Sequence, residues 1–463
     1  MSDEIIVPGS FRDPSGYVYI HDGVIHRRIN DCYKNDYNQL IESGLYDKLT
    51  EQAYLVKHEE VDISPVPSSG LYKNIIPEQI PFISYPYEWS FSQLKDAALL
   101  TLDIQIQAIK YNMSLKDASA YNIQYLKGKP ILIDTLSFEK LNEGLPWVAY
   151  QQFCKHFLAP LVLMSTKDIR LGQLLRVYID GIPLDMATKL LPLKSYLSFG
   201  MLSHLHLQAA AQTRYADSGK VSHKARKLTK TGLVNICESL RRTVSKLSWS
   251  PENTEWSNYY EKKNNYSSET MLHKEKFVSD SLVKISPKLV WDLGSNTGHF
   301  SRLSSSLGLP TISFDIDPAC IEINYLESRE KNESELLPLL LDLTNPSPGI
   351  GWENIERSAL LERKPPQLIL ALALIHHLAI SNNLPLTKIA TLFSKIAPYL
   401  VIEFVPKSDS MVQRLLATRK DIFPDYDKDN FEKIFGGYYT ILSKENITNS
   451  ERSIYLMESI HVG

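Results

Sequence analysis

The last 180 or so residues alternate short, almost wholly apolar runs with segments of helical periodicity, and this rhythm restricts the fold more than any other feature. Apolar strands separated by helices are typical of a parallel sheet that helices cover on both faces. Five runs have this character: 289–294, 311–316, 337–343, 367–374 and 399–405. Two further runs, 438–447 and 452–459, are too close in sequence for a crossover helix, so we expect an antiparallel hairpin that closes the sheet.

The N-terminal part has a mixed pattern and predicts an α+β domain. Asp22-Gly23 joins two β-type runs within residues 16–29, which is a strong hairpin signal. Further along, the pattern predicts a helix over 36–52, extended chain over 53–61 and 80–89, and mostly helix over 90–215.

A polar stretch rich in serine and lysine separates the two patterns. We therefore expect an N-terminal domain of residues 1–215, a partly helical, basic connector of residues 216–285, and a C-terminal domain of residues 286–463.

Composition excludes several classes of protein. The 463 residues carry a net charge of −3. A protein that binds nucleic acid over its whole surface would be strongly basic, so this class is excluded. The N-terminus lacks a secretory pattern, and the most apolar stretch, 368–380, is too short to span a bilayer. Four widely spaced cysteines fit reduced thiols. We expect a cytoplasmic protein with no transmembrane segment and no nucleic-acid partner.

A glycine-rich turn, DLGSNTG (292–298), follows the first strand and opens a helix. Glycines there let the backbone approach a ligand, and the helix start offers unpaired N–H groups. Asp315 ends the next strand about twenty residues later, where a carboxylate can accept hydrogen bonds from ribose hydroxyls. Asp342, at the end of the third strand, is placed to accept one from an adenine amino group.

These motifs, in this order, resemble class I S-adenosylmethionine-dependent methyltransferases, whose fold is a seven-stranded Rossmann-like sheet with a terminal antiparallel hairpin. The resemblance implies that S-adenosylmethionine is the cofactor and that three groups of residues bind it. Asp292, Gly294, Ser295, Asn296 and Gly298 would surround its amino-acid part, Asp315 and Ile316 its ribose and adenine, and Asp342 and Leu343 the adenine edge. Asn296 replaces the middle glycine of the commoner pattern. A Rossmann dehydrogenase fits less well, because it requires G-x-G-x-x-G and seldom ends in such a hairpin.

Three residues are candidates for chemistry at the methyl acceptor. His376 and His377 follow the fourth strand, where one histidine could take the acceptor's proton and the other orient it. The alternative is that both only pack or cap the strand end. Glu403, at the end of the fifth strand, is a second candidate base or hydroxyl-orienting group, or else a helix cap.

The connector carries two further groups of interest. Aromatic and basic residues form a candidate flap over the cofactor, or pack on the sheet: Trp256, Tyr259, Tyr260, Tyr266 and Lys276. A basic stretch that contains one acid, Glu238, could hold a phosphate-rich acceptor or an anionic lipid carrier, or be a solvated linker face. Its cations are Lys220, Lys224, Arg226, Lys227, Lys230, Arg241, Arg242 and Lys246.

The N-terminal domain holds a second motif, in residues 115–139. Asp117, Asn122 and Asp134 resemble the catalytic and metal loops of protein kinases and aminoglycoside-type kinases. That resemblance implies Asp117 as base and Asn122 and Asp134 as magnesium ligands for ATP. It also places Arg27 or Arg28 near where a phosphate-binding lysine belongs in those kinases, and Glu42 could pair with that arginine.

This motif departs from the kinase pattern in several ways: no His or Arg precedes Asp117, no glycine follows Asp134, and a G-x-G-x-x-G loop is lacking. An inactive kinase-like domain that binds the acceptor is therefore the favoured interpretation.

Four further segments are DTLSFE (134–139), PWVAYQQFCKHFLAPL (146–161), LALALIHHL (370–378) and VIEFVPKSD (401–409). With them, the whole chain resembles bacterial methyltransferases of the nodulation-protein type, some of which are associated with surface glycans. We therefore expect methyl transfer to a hydroxyl of a saccharide, a glycolipid or another small molecule. A bifunctional kinase–methyltransferase and a non-enzymatic nucleotide-sensing scaffold are the alternatives.

Overall fold

A computed structural model describes residues 5–61, 69–210, 228–251, 268–417 and 420–460. The contacts of the chain define two compact units. Unit 1 is Met1–Ser250 together with Pro348–Ala359, and unit 2 is Pro251–Ser347 together with Leu360–Gly463.

Unit 1 begins with an antiparallel sheet in the order β1-β2-β3-β5-β4. The hairpin between β2 and β3 is as predicted, and Asp22 and Gly23 both have a positive φ, as a tight two-residue turn requires. The strands are β1 Ile5–Ile6, β2 Gly16–His21, β3 Val24–Asn30, β4 His58–Val61 and β5 Leu71–Pro77.

Two small antiparallel pairs follow the long helix Phe91–Lys110: β6 (Met113–Leu115) with β9 (Phe138–Lys140), and β7 (Ile123–Leu126) with β8 (Lys129–Leu132). The long helix starts with a capping box, in which Ser90 and Gln93 exchange side-chain and backbone hydrogen bonds. The α-helices described in unit 1 are Lys34–Glu42, Leu45–Glu51, Phe91–Lys110, Tyr150–Phe153, Ala159–Thr166, Leu174–Val177, Leu184–Leu190, Phe199–Met201 and Lys230–Lys246.

The local predictions for unit 1 need three corrections. The helix expected over 36–52 is two helices, because Gly44 adopts a left-handed conformation between them. Residues 80–89 contain a 3-10 turn, Pro86–Glu88, in which Glu88 caps the N–H of Tyr85, and the strand of this region is β5 instead. Residues 113–140 are largely strand and turn rather than helix.

The segment Pro348–Ala359 belongs to unit 1, although the chain on both sides of it belongs to unit 2. Glu356 accepts two hydrogen bonds from Arg12, at 2.6 and 2.9 Å, and the hydroxyl of Tyr85 accepts one from the Ser358 N–H. Within unit 2, the Leu360 N–H donates to the carbonyl of Ser347, so the two ends of this excursion meet.

Unit 2 is built on a seven-stranded sheet in the order β12-β11-β10-β13-β14-β16-β15. Its strands are β10 Val290–Leu293, β11 Thr311–Asp315, β12 Leu336–Leu340, β13 Leu368–Ala371, β14 Tyr399–Phe404, β15 Tyr439–Asn446 and β16 Ser453–Ser459. The first five strands are parallel, and β16 pairs antiparallel with both β14 and β15.

Numbered within the sheet, this order is 3-2-1-4-5-7-6, the class I methyltransferase arrangement, so the predicted fold class is confirmed. Its core includes Val290, Leu370 and Val401 on the central strands, which pack with Val278 and Leu282 of the preceding helix. The described α-helices of unit 2 are Ser268–Ile285, His299–Ser306, Pro318–Lys331, Leu386–Ile396, Ser410–Leu416 and Lys428–Phe435.

Candidate active site

The turn after β10 is shaped by three residues with a positive φ: Gly294 at 75°, Asn296 at 52° and Gly298 at 85°. Asparagine tolerates the left-handed region better than most residues, so Asn296 keeps the conformation of the glycine that it replaces. Its N–H donates to Oδ2 of Asp315 at 2.8 Å, and its side-chain oxygen accepts from the N–H of Thr297 at 2.8 Å. The turn therefore keeps its backbone conformation with asparagine in place of the glycine of the commoner pattern.

The two glycines of this turn also allow close approaches. A Cβ atom on Gly298 would lie 2.4 Å from Oδ1 of Asn324, and one on Gly294 would lie 3.1 Å from Cδ1 of Leu374. Gly298 is also the N-cap residue of the helix His299–Ser306. This turn therefore requires glycine for both backbone conformation and space.

A cavity of about 230 Å³ opens at the carboxyl ends of β10 to β13. Six of the predicted cofactor residues line it: Gly294, Asn296, Asp315, Ile316, Asp342 and Leu343. Ile316 is 61% exposed, an apolar side chain in contact with the open cavity. Because carboxyl ends of adjacent parallel strands meet at one edge of the sheet, three separate stretches of sequence converge here.

Another part of the cavity lining comes from the residues after β13, of which only His377 was predicted. The others are Leu372, Ala373, Leu374, Leu378, Ser381 and Asn382. The apolar run at 367–374 predicted the strand, but its pattern carried no sign that its last residues and those that follow line the cavity.

Asp292 and Ser295 lie behind the cavity wall and are almost fully buried. Asp292 accepts a hydrogen bond from the Ser301 hydroxyl at 2.6 Å, and the Ser313 hydroxyl links Ser301 to Ser295. Burial raises the pKa of Asp292 to about 7, against the effect of the Ser301 hydrogen bond. Direct contact of Asp292, Ser295 and Gly298 with a cofactor stays a prediction.

The carboxylates of Asp315 and Asp342 differ in their surroundings. Burial raises the pKa of Asp315 to about 6, although N–H groups of Asp317 and Asn296 donate to its carboxylate. Asp342 is held by the N–H and hydroxyl of Thr344, both of which donate to Oδ1. Both carboxylates can therefore accept hydrogen bonds at the cavity from fixed positions.

His376 and His377 lie side by side, with ring centroids 4.2 Å apart, but differ in access to the cavity. His377 lines the cavity, whereas His376 is buried and does not line it. Burial, with the charge of Arg452, lowers the pKa of His377 to about 4. Burial also lowers the pKa of His376, well below the usual value for histidine, so both imidazoles are neutral near pH 7.

Glu403 on β14 is fully buried in an ionic network. Its Oε2 accepts hydrogen bonds from Lys274 Nζ at 2.7 Å and from the Ala373 N–H at 2.9 Å, and its Oε1 accepts from Arg452 at 3.1 Å. Burial acts to raise the pKa of Glu403, but the charges of Lys274 and Arg452 outweigh it and lower the pKa. An ionised carboxylate with both oxygens engaged favours neither the base nor the helix cap that the sequence suggested.

Most of the connector residues singled out in the sequence lie outside the described part of the chain: Lys220, Lys224, Arg226, Lys227, Trp256, Tyr259, Tyr260 and Tyr266. Lys276 is exposed on the helix Ser268–Ile285 and does not line the cavity. Two cations of the basic stretch form ion pairs. Nζ of Lys230 lies 3.1 Å from Oε1 of Glu143, and Nε of Arg241 lies 2.8 Å from Oδ1 of Asp103.

Unit 1 brings together the residues of the second motif. Asp117 follows β6, Asn122 precedes β7, and Asp134 follows β8. Burial raises the pKa of Asp117, and the charge of Asp134 acts in the same direction. Asn122 donates to the hydroxyl of Ser137, which itself donates to Oδ2 of Asp134 at 2.6 Å.

Arg27 forms an ion pair with Asp134, at 2.7 Å, and not with Glu42, which is exposed. Arg28 points elsewhere and donates to Asn30 and to the carbonyl of Ser69. The expected pairing with Glu42 is therefore not what the structure shows, because β3 carries Arg27 toward the loop after β8.

Within the described ranges, no helix combines the length and the apolar character that crossing a membrane requires. No protein-family model matches the sequence.

Two solved structures illustrate the comparisons with known folds. WbdD is 14% identical, with a TM-score of 0.32 over 46% of each chain. The N-methyltransferase NodS from Bradyrhizobium japonicum WM9, in complex with S-adenosyl-l-homocysteine, is 12% identical, with a TM-score of 0.32 over 44% of this chain and 93% of that one. At such scores neither adds weight to the fold, which the strand order itself defines.

A much stronger similarity joins this sequence to the nodulation protein NoeA of Rhizobium meliloti (strain 1021). The two are 33% identical over 464 residues, which cover 98% of this chain and 96% of that protein. The expected relation to nodulation proteins is thereby confirmed. The chain belongs to the NoeA family of nodulation proteins, and its C-terminal unit has the class I methyltransferase fold.

Proposed function

We propose that the chain transfers a methyl group from S-adenosylmethionine to a hydroxyl group of a saccharide, a glycolipid or another small molecule. The observation that carries this proposal is that Gly294, Asn296, Asp315, Ile316, Asp342 and Leu343 line one and the same cavity. These residues come from the ends of adjacent strands in a sheet of the class I order.

The cavity offers groups that match the parts of this cofactor. Asp315 presents a carboxylate for the ribose hydroxyls, and the exposed side chain of Ile316 offers an apolar surface for adenine. Asp342 presents a second carboxylate for the adenine amino group, and the turn residues Gly294 and Asn296 line the cavity, where they could contact the amino-acid part. The cofactor supplies an electrophilic methyl group, so the protein's contribution is alignment and proton removal.

His377 is the residue best placed to remove the proton of an acceptor hydroxyl. His377 lines the cavity, and its lowered pKa leaves the imidazole unprotonated near pH 7, which is the form that a base requires, although a pKa of about 4 makes it a weaker base than an ordinary histidine. His376 packs against it and positions it. The class of acceptor rests on the relation to nodulation proteins and on the resemblance to glycan-associated methyltransferases.

Calorimetry with S-adenosylmethionine tests the cofactor. We expect binding to the wild type, loss of binding in Asp315→Ala, and unchanged binding in Asp280→Ala, which removes an exposed carboxylate of unit 2 outside the cavity. Wild-type protein that fails to bind would refute the proposal. Transfer of a tritiated methyl group to fractionated extract of the native source then identifies the acceptor fraction.

A bifunctional kinase–methyltransferase is the second candidate, because Asp117, Asn122 and Asp134 lie together between the pairs β6–β9 and β7–β8. The ion pair with Arg27 weakens this candidate, since it places a cationic side chain where a magnesium ion would bind Asp134. A thermal shift with ATP and magnesium that disappears in Asp134→Ala would support it. Binding of S-adenosylmethionine without any labelled acceptor would instead favour the scaffold.

A further inference from the structure

A group of large apolar side chains protrudes from unit 1 between residues 193 and 199. Leu193, Leu197 and Phe199 are 86%, 88% and 78% exposed, and Tyr196 is 51% exposed. We call these four residues the apolar ridge. Apolar side chains that are exposed singly are ordinary, but such a group on a short stretch marks a surface that contacts another apolar phase.

The backbone beneath the apolar ridge is firmly held. Ser195, between Leu193 and Leu197, is buried, and its hydroxyl forms a hydrogen bond with Nε2 of His206 at 2.8 Å. The ring of Tyr196 stacks on the ring of His206, with centroids 3.8 Å apart. Because Ser195 is fixed inward, Leu193 and Leu197 stay on the outside.

Three exposed cations accompany the apolar ridge: Lys194, Arg242 and Lys246. Lys194 lies within the ridge, and the other two are one turn apart on the helix Lys230–Lys246. That helix lies against the end of the ridge, since a Cβ on Gly200 would come within 2.1 Å of the Thr243 hydroxyl. Among the described residues, neighbouring cations such as Lys230 and Arg241 have acidic partners, whereas no acid lies within ion-pair distance of these three.

We propose that the apolar ridge and these three cations form a docking surface for an anionic lipid bilayer. A bilayer surface offers an apolar phase for protruding leucine and phenylalanine side chains, and negative headgroups for the flanking cations. The tyrosine ring, apolar with a polar tip, suits the interface between the two. A protruding ridge flanked by cations that have no acidic partner in the described part of the chain fits such a layered surface better than a folded protein groove. This docking does not depend on methyl transfer.

Co-sedimentation of the full chain with vesicles tests the docking surface. We expect the wild type to bind phosphatidylcholine vesicles that contain phosphatidylglycerol, and to bind pure phosphatidylcholine much more weakly. The variant Leu193→Ser/Leu197→Ser/Phe199→Ser should lose about tenfold or more in partition, because it removes most of the apolar contact. The matched control Leu272→Ser/Leu307→Ser removes two exposed leucines of unit 2 and should bind as the wild type does.

The variant Lys194→Gln/Arg242→Gln/Lys246→Gln should lose about fivefold per cation on anionic vesicles, and salt should weaken wild-type binding. All substituted side chains are exposed, so a circular dichroism spectrum identical to the wild type is expected for each variant. The proposal would be overturned if the wild type did not bind anionic vesicles, or if the variant of the apolar ridge bound them as well as the wild type does. Self-association that the ridge substitutions abolish, without vesicle binding, would instead assign the ridge to a second copy of the chain.

Discussion

The ammonium group of Lys274 lies 2.7 Å from Oε2 of Glu403, and both side chains are almost completely buried. The same carboxylate oxygen accepts the N–H of Ala373, a non-glycine residue with a φ of 49° in the cavity wall. A strained backbone conformation of this kind persists only where its surroundings hold it. The ion pair therefore fixes the carboxylate that holds the backbone of Ala373 in the cavity wall.

Replacing Lys274 with methionine should destabilise unit 2 by about 3–5 kcal/mol, because Glu403 would keep a buried charge with one cation fewer. The double variant Lys274→Met/Glu403→Gln should recover part of this loss. Urea unfolding followed by tryptophan fluorescence gives the free energies. The control Lys331→Met removes an exposed partner of Glu327 and should cost less than about 0.5 kcal/mol. Equal losses of unfolding free energy in Lys274→Met and Lys331→Met would contradict this expectation.

Gly298→Ala and Gly308→Ala form a matched pair at two glycines with a positive φ. Both alanines should cost about 1–2 kcal/mol from the backbone conformation alone. Gly298→Ala should cost clearly more and abolish S-adenosylmethionine binding, because its methyl group would collide with Asn324, whereas nothing lies within 4 Å of a Cβ on Gly308. Thermal unfolding and calorimetry measure the two effects. A Gly298→Ala variant that binds normally would show that the turn is less constrained than we infer.

Asn296→Gly should leave the affinity for S-adenosylmethionine within a few-fold of the wild type, because glycine adopts the same left-handed conformation. Asn296→Val should reduce the affinity at least tenfold, since a β-branched residue is a poor fit to a positive φ. Calorimetry on the two variants separates the backbone requirement from any role of the amide side chain. A large loss with glycine would assign that role to the side chain.

His377→Gln should lower kcat by about 10²–10⁴ while S-adenosylmethionine still binds, if a neutral imidazole takes the acceptor's proton. Because the folded pKa of His377 is about 4, wild-type kcat should be level near pH 7 and fall only as the pH approaches that value. The rate is measured on the labelled acceptor fraction. His376→Asn, at a buried position outside the cavity, should change the pH profile less than His377→Gln does.

Asp292 should make unit 2 less stable as the pH rises. Its folded pKa of about 7 lies above the ordinary aspartate value, so the folded state binds the proton more tightly than the unfolded state. The resulting stability is complete below about pH 4 and is lost as the pH rises through 7. The two histidines act oppositely below about pH 6.5, so the effect is measured as the difference between wild type and Asp292→Asn in urea unfolding. A difference that is constant from pH 5 to 8 would be inconsistent with this account.

The sequence predicted those features that leave a local pattern. Apolar runs located the strands of unit 2, and Asp22-Gly23 located the hairpin of unit 1, because burial and turn geometry each act on neighbouring residues. Asp315 and Asp342 were predictable at the cavity because the strand ends of a parallel sheet share one edge, whereas most of the lining contributed after β13 was not predicted.

The ionic contacts were not predictable in this way. Glu403 pairs with Lys274, 129 positions away, and with Arg452, and Asp134 pairs with Arg27 across much of unit 1. Contacts between distant residues depend on how the elements pack and leave no periodicity in the chain. The exposed Leu193 and Leu197 were missed for a related reason, since apolar residues near helices are ordinarily read as core.

The excursion Pro348–Ala359 has a consequence for how this protein can be divided. Unit 1 is not one continuous stretch, because the Glu356 that binds Arg12 is encoded after the first three strands of the unit 2 sheet. A fragment that stops at Ser250 would lack that partner, and a fragment that starts at Pro251 would carry twelve residues that belong elsewhere. A single recombination event between Ser250 and Pro251 could therefore not transfer either unit complete to another protein. Gene fusions and truncations that ignore this interleaving should yield poorly soluble halves.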